Sequence, residues 1–180
     1  MNHISQQRAL LPYLIARITE IDPHCGIMLQ GSVSRGTERS DSDLDLTVVF
    51  GDVQKMHFNE LIRPDNQFGM SRVVVQSINI DINWYYATDL KRILQQDGAC
   101  DFFIFSLGEI VHDPLQLASS CQSAARAFFT EHPLIAAAWE KQNEAVRRSK
   151  SDPLYKLEYP RWPAFSKYLL ALLQSETEIG

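Results

Sequence analysis

Apolar and polar positions alternate strictly in two short stretches of the chain. In Asp43–Phe50 (DLDLTVVF) Leu44, Leu46 and Val48 alternate with Asp43, Asp45 and Thr47; in Ile78–Trp84 (INIDINW) Ile78, Ile80, Ile82 and Trp84 alternate with Asn79, Asp81 and Asn83. A period of two predicts strands with one apolar and one polar face. Further strands are predicted near 26–30, over 71–85 as one strand or two, and near 108–112. Helical spacing appears at the start, where Leu10, Tyr13, Leu14, Ile18 and Ile21 form a stripe with Pro12 at its beginning or at a kink. A helix is expected over Thr88–Gln96. Beyond Pro114 the strand signals cease. Pro133 suits a helix start, Phe165, Tyr168, Leu169, Leu172 and Leu173 form a second stripe, and Pro153, Pro160 and Pro163 interrupt the region between helices. The predicted class is α+β: a mixed β-sheet flanked by helices over 1–113, then a small helical domain over 114–180.

The polar faces of the two alternating strands carry the chemistry. Asp43 and Asp45 point to one side of their strand, about 7 Å apart along it. Carboxylates so placed can turn oxygens onto shared metal, and Mg²⁺ takes one or two carboxylates together with substrate phosphates. Asp81 sits on the polar face of the second strand between two asparagines. If the two strands are neighbours, three carboxylates converge, and a metal pair can activate an acceptor hydroxyl and steady a leaving pyrophosphate. Asp81 is then a metal ligand, a general base, or both.

Upstream, Ile27–Gln30 reads as a strand ending at Gly31-Ser32, with a short helix from about Val33. Unpaired backbone N–H groups at such a turn favour anions, and Gly31 permits close approach of the backbone to phosphates. Arg35 follows one turn on; Arg39 and Ser42 lie on the loop leading to the carboxylates. Arginine matches phosphate in a bidentate way; the lesser alternative for Arg35 is a structural ion pair, and for Arg39 the two readings are even. Two other readings of the acidic stretch fail. A calcium loop starting at Asp41 needs Gly at its sixth position and Glu at its twelfth, where the chain has Leu46 and Asp52. A dehalogenase-type Asp-x-Asp-x-Thr follows an apolar strand, whereas here the apolar run comes after the aspartates.

The order Gly31-Ser32, then Ser42-Asp43-Leu44-Asp45, then a later strand Asp81, resembles the nucleotidyltransferase fold of the DNA polymerase β superfamily. The similarity is to small bacterial members: aminoglycoside and lincosamide nucleotidyltransferases and minimal nucleotidyltransferases. It runs from about Met28 to Pro114, where Leu107–Pro114 (LGEIVHDP) resembles the strand that closes that sheet. The resemblance implies two Mg²⁺ on Asp43, Asp45 and Asp81, and a nucleoside triphosphate, ATP by default, on Gly31, Ser32, Arg35 and Ser42. It also implies transfer of AMP to a hydroxylated acceptor, first a small antibiotic-like molecule. Alternatives from the same resemblance are an antitoxin-type enzyme acting on a protein or RNA partner, and an inactive nucleotide-binding module. A homodimer completing the acceptor site is a further expectation.

Composition narrows this picture in three ways. The net charge of −5 hides a basic segment, Lys141–Lys167, with seven basic and three acidic residues, against −9 for the rest. Overall acidity argues against general nucleic-acid binding and suits a cationic acceptor; the basic segment either reaches over the triphosphate, docks an acidic partner or is a solvated helix face. Cys25, Cys100 and Cys121 are odd in number and lack metal spacing, which fits a reducing cytoplasm. The chain shows no signal-peptide pattern and no apolar run long enough for a membrane span. Trp84, Tyr85, Tyr86, Tyr159 and Trp162 either wall a pocket between the two parts or pack the core.

Overall fold

The computed structural model describes residues 5–51, 59–62, 69–88, 105–160 and 162–179. Its elements in chain order are α1 (Gln6–Ala9), α2 (Leu11–Thr19), β1 (Gly26–Leu29), α3 (Gly31–Ser34), β2 (Leu44–Phe50), β3 (Met70–Val75), β4 (Ile78–Tyr86), β5 (Glu109–His112), α4 (Leu117–Glu131), α5 (Pro133–Ser151) and α6 (Trp162–Ile179). The strands form one five-stranded mixed sheet in the order β3-β4-β2-β1-β5. Only the β2–β4 pair is parallel; β3–β4, β1–β2 and β1–β5 are antiparallel. The class is α+β, a mixed sheet flanked by helices, as the alternating and helical patterns predict.

Each face of the sheet has its own core. Leu44, Leu46, Val48 and Phe50 of β2, with Ile80 and Ile82 of β4, pack with Leu14 and Ile18 of α2. On the other face Met28 of β1 and Val49 of β2 join Phe105 and, from α4, Ala118 and Ala125. Helix α4 lies very close to the sheet because β1 begins with glycine: a Cβ on Gly26 would stand 2.6 Å from the Ala118 nitrogen and 2.7 Å from its Cβ. Asp113 fixes the start of α4, its carboxylate accepting from the N–H groups of Ala118 (3.0 Å) and Ser119 (2.8 Å) and from the Ser119 hydroxyl (2.6 Å). A third cluster, Ile135, Ala138, Trp139, Phe165 and Leu169, holds α5 and α6 together. Phe128 and Phe129 of α4 touch both this cluster and the sheet-facing one, so the helices and the sheet share continuous packing.

Several local expectations shift. Tyr13 is 43% exposed and stands off the buried stripe of Leu11, Leu14 and Ile18. Pro12 occupies the first turn of α2, where a missing N–H costs nothing. Pro163, expected to interrupt, also sits in a first turn, that of α6. The short helix begins at Gly31 instead of Val33, since Gly31 adopts φ +67° and turns the chain directly out of β1. The helix expected over Thr88–Gln96 lies almost entirely outside the described residues. The β3–β4 connection is a two-residue turn whose central residues, Gln76 (φ +48°) and Ser77 (φ +68°), are both left-handed, the backbone of a type I′ hairpin.

Candidate active site

The parallel register of β2 and β4 sets Asp45 directly opposite Asp81. Paired residues of neighbouring strands share a face, and the strands lie about 4.8 Å apart. Asp43 precedes β2 and stands on the same side as Asp45. The structure thus brings the three sequence-selected carboxylates to one end of one sheet face. The antiparallel register of β3 adds a residue the sequence did not single out: Arg72 pairs with Asp81. Arg72, Asp81 and Asp45 therefore form a transverse row across three strands.

The row is bonded. Arg72 donates from Nε to Asp81 Oδ1 and from Nη2 to Oδ2, both at 2.6 Å. Asn79 donates from Nδ2 to Asp43 Oδ1 at 3.0 Å. Burial, and then the neighbouring Asp81 and Asp43 carboxylates, push the Asp45 carboxyl above the usual carboxylate range, while Lys150 and Arg35 pull it back. Three acidic side chains crowded on one face are a donor set suited to a hard divalent cation. As the side chains stand, no three His, Cys, Asp or Glu groups among the described residues are gathered closely enough to hold one, since Asp81 is turned to Arg72 and Asp43 to Asn79.

The turn after β1 abuts these carboxylates. The Gln30 N–H donates to the Asp45 carbonyl at 2.8 Å, and a Cβ on Gly31 would lie 2.1 Å from Asp45 Oδ2. Glycine is therefore required at this position twice, by its positive φ and by the carboxylate against it. Ser32 follows in α3, and Arg35 caps the C-terminus of α3 and is exposed. The loop from Arg39 to Ser42 is shaped by two contacts. The Ser42 hydroxyl accepts from the Arg39 N–H at 2.9 Å. The buried side chain of Gln7 in α1 donates to the carbonyls of Arg39 (2.9 Å), Ser42 (3.1 Å) and Ser40 (3.3 Å). Gln7 was not visible as a site residue in the sequence, because nothing local tells that α1 docks on a loop more than thirty residues away.

These parts surround a cavity of about 590 Å³, lined by Gly31, Ser32 and Arg35 from the turn and α3, and by Thr37, Arg39, Asp41, Ser42 and Asp43 from the loop and its end. Asp45 forms its floor, and Arg147, Lys150 and Ser151 at the end of α5 form its far wall. Part of the basic segment thus faces the acidic end of the sheet. A smaller cavity of about 250 Å³ lies against Lys141, Ala145 and Arg148, a different face of α5, among Tyr155, Tyr159 and Tyr168. The aromatic residues among those described do not gather at the carboxylates. Trp84 and Tyr86 pack against the α2-side core, Tyr85 packs at a tilt against Phe105, and Tyr159 lies nearly parallel to Tyr168 with centroids 5.0 Å apart. The Trp162 side chain lies outside the described residues.

No helix among the described residues is long and apolar enough to cross a membrane. No family model matches the chain, and no curated protein matches it. Among solved structures, the chain is similar to a nucleotidyltransferase-like protein from Exiguobacterium sibiricum 255-15, with 13% identity and a TM-score of 0.42. The match covers 81% of this chain and 46% of the other, so the chain spans just under half the length of that protein.

Proposed function

We propose that this protein is a metal-dependent nucleotidyltransferase that moves a nucleoside monophosphate, AMP from ATP, to a hydroxyl of an acceptor with release of pyrophosphate. The observation that carries the reading is the register: Asp45 opposite Asp81, with Asp43 two residues before it, beside a Gly-Ser turn and a cavity rimmed by cations. An acidic end facing basic groups across a cavity of this size suits a charged ligand that is itself bound through a divalent cation. On this reading Asp43, Asp45 and Asp81 hold two Mg²⁺, which when bound supply Lewis acidity to the acceptor hydroxyl and the departing phosphate.

The protein's own groups do the remaining work. Gly31 and Ser32 offer backbone and hydroxyl to the triphosphate, Arg35 and Ser42 flank it, and Arg147 and Lys150 face it from α5. The acceptor oxygen forms its bond to the α-phosphorus as the bond to pyrophosphate breaks, so arginine and lysine around the leaving group stabilise the charge that develops there. On this reading Asp81, once free of Arg72, serves as metal ligand, as base for the acceptor's proton, or as both. The acceptor is proposed to be a small hydroxylated, cationic molecule, in keeping with the acidic remainder of the chain. The sheet portion to about residue 113 is the catalytic unit of this proposal and the helices after it complete the pocket.

The test is pyrophosphate release from Mg-ATP across a panel of hydroxylated acceptors, in the wild type and in Asp43→Asn/Asp45→Asn. Acceptor-dependent release in the wild type, lost in the double variant, is the expected outcome. Mg-ATP binding without release on any small acceptor redirects the reading to a protein or RNA target. Absence of both binding and release in the wild type ends it.

A further inference from the structure

Asp81 is committed to an arginine on both of its oxygens, and that arginine belongs to the outer strand. We propose that Arg72 is a latch on the third carboxylate: it holds Asp81 turned towards β3, away from Asp45, and must let go before a divalent cation can bind the triad. This inference rests on the functional reading above. Both carboxylate oxygens are taken in a fork at 2.6 Å, and a divalent cation drawn to the same oxygens meets the guanidinium charge within a few ångströms. Arginine and metal therefore oppose each other at Asp81 by geometry and by charge.

The latch is built to open. The Arg72 side chain is 71% exposed whereas that of Asp81 is 16% exposed. A mostly solvated guanidinium recovers water when it swings away, so releasing it costs little, while the half-buried carboxylate stays in place. In the strand order β3-β4-β2-β1-β5, Arg72 stands on the outermost strand with its side chain largely in solvent. While latched, the guanidinium adds its positive charge to that of Lys150 and Arg35 beside the carboxylates and so stabilises the site without metal. Charge brought by a bound triphosphate together with its cation then displaces it. Arg72 is accordingly a positioning residue that sets how readily the site takes up metal.

The experiment is a titration of metal-free protein with Mn²⁺ alone, followed by electron paramagnetic resonance of the free ion, on wild type, Arg72→Gln, Arg72→Lys and Asp45→Asn. Arg72→Gln should bind Mn²⁺ roughly two- to fivefold more tightly, the scale of one ion pair with a largely exposed partner. Arg72→Lys keeps the charge but loses the planar fork, and should bind more tightly than wild type but less so than Arg72→Gln. In metal-free buffer Arg72→Gln should also melt below wild type, with a larger rise in Tm on adding Mn²⁺. Binding that Asp45→Asn abolishes but Arg72→Gln leaves equal or weaker overturns the latch and leaves the metal site standing. Tighter binding in Arg72→Gln with Arg72→Lys identical to wild type also overturns it, since charge alone then accounts for the effect. No Mn²⁺ binding in any form overturns the latch, while the functional reading stands or falls on Mg-ATP binding and pyrophosphate release.

Discussion

Asp45 is the residue on which fold and chemistry conflict most directly. Its carboxyl is pushed up by burial and by two acidic neighbours, so the folded state binds a proton more readily than the unfolded chain does. Stability therefore falls as pH rises from the ordinary carboxylate range through the raised value of the folded state. In metal-free buffer Asp45→Asn should melt above wild type at pH 7, and the gain should shrink towards pH 4; thermal melts at the two pH values check this. The opposite constraint holds at Gly31, where φ is +67° and Asp45 Oδ2 leaves no space for a side chain. Gly31→Ala should lose at least about 1–2 kcal/mol of stability from the backbone alone, measured by urea denaturation. Much of this residue-level picture is legible in the sequence: the alternation in DLDLTVVF puts Asp43 and Asp45 on one face, and INIDINW gives Asp81 a polar face. Arg72 and Gln7 are not legible, because the first depends on strand register and the second on a helix meeting a distant loop, and neither leaves a local signal.

At the scale of elements, the β3–β4 hairpin carries both Arg72 and Asp81 and is closed by a turn that asks φ > 0 of Gln76 and Ser77. Left-handed backbone suits Asn and Gly far better than Gln and Ser. The double change Gln76→Asn/Ser77→Gly should stabilise the protein by roughly 1 kcal/mol without altering the register, read as a rise in Tm with an unchanged unfolding m-value. Helix α5 raises a different question, since its last turns put Arg147 and Lys150 on the large cavity. Lys150→Ala should weaken triphosphate binding about three- to tenfold, with the loss shrinking as salt screens the contact; titration with ATP at two ionic strengths measures it. The basic excess of Lys141–Lys167 is visible in composition, where it reads first as a solvated helix face, and only the placement of α5 sets Arg147 and Lys150 on the cavity. The prolines misled in one case for a simple reason: a proline marks a first turn as readily as a break, and only tertiary placement separates them at Pro163.

At the scale of the molecule, the sheet cannot shed its helices cheaply. Met28 and Val49 are fully buried beneath Ala118 and Ala125, and Phe128 and Phe129 extend that packing to Trp139 and Phe165. A chain ending at residue 113 should therefore fail to fold cooperatively, losing the sharp thermal transition of the full chain and binding a hydrophobic dye. Trp139→Ala should cost about 3–5 kcal/mol, and denaturation followed by sheet and helix signals should still show a single transition, because the clusters are joined through α4. The pattern of strands before helices was readable from hydrophobic period, whereas this shared packing was not: Gly26 admits α4 to the sheet, and a glycine in a strand does not say what approaches it.

The transverse row of Arg72, Asp81 and Asp45 gives the site a fixed scale. Distances across it are multiples of the strand spacing, and distances along it are multiples of the rise per residue. Neither depends on the loops. The stretch from Gly36 to Asp41 can lengthen, shorten or change its sequence and thereby recast what enters the cavity, while Asp45 and Asp81 keep their places on a lattice drawn by backbone hydrogen bonds. Changing the guest is easy in such an arrangement; moving the hearth would require re-pairing the sheet.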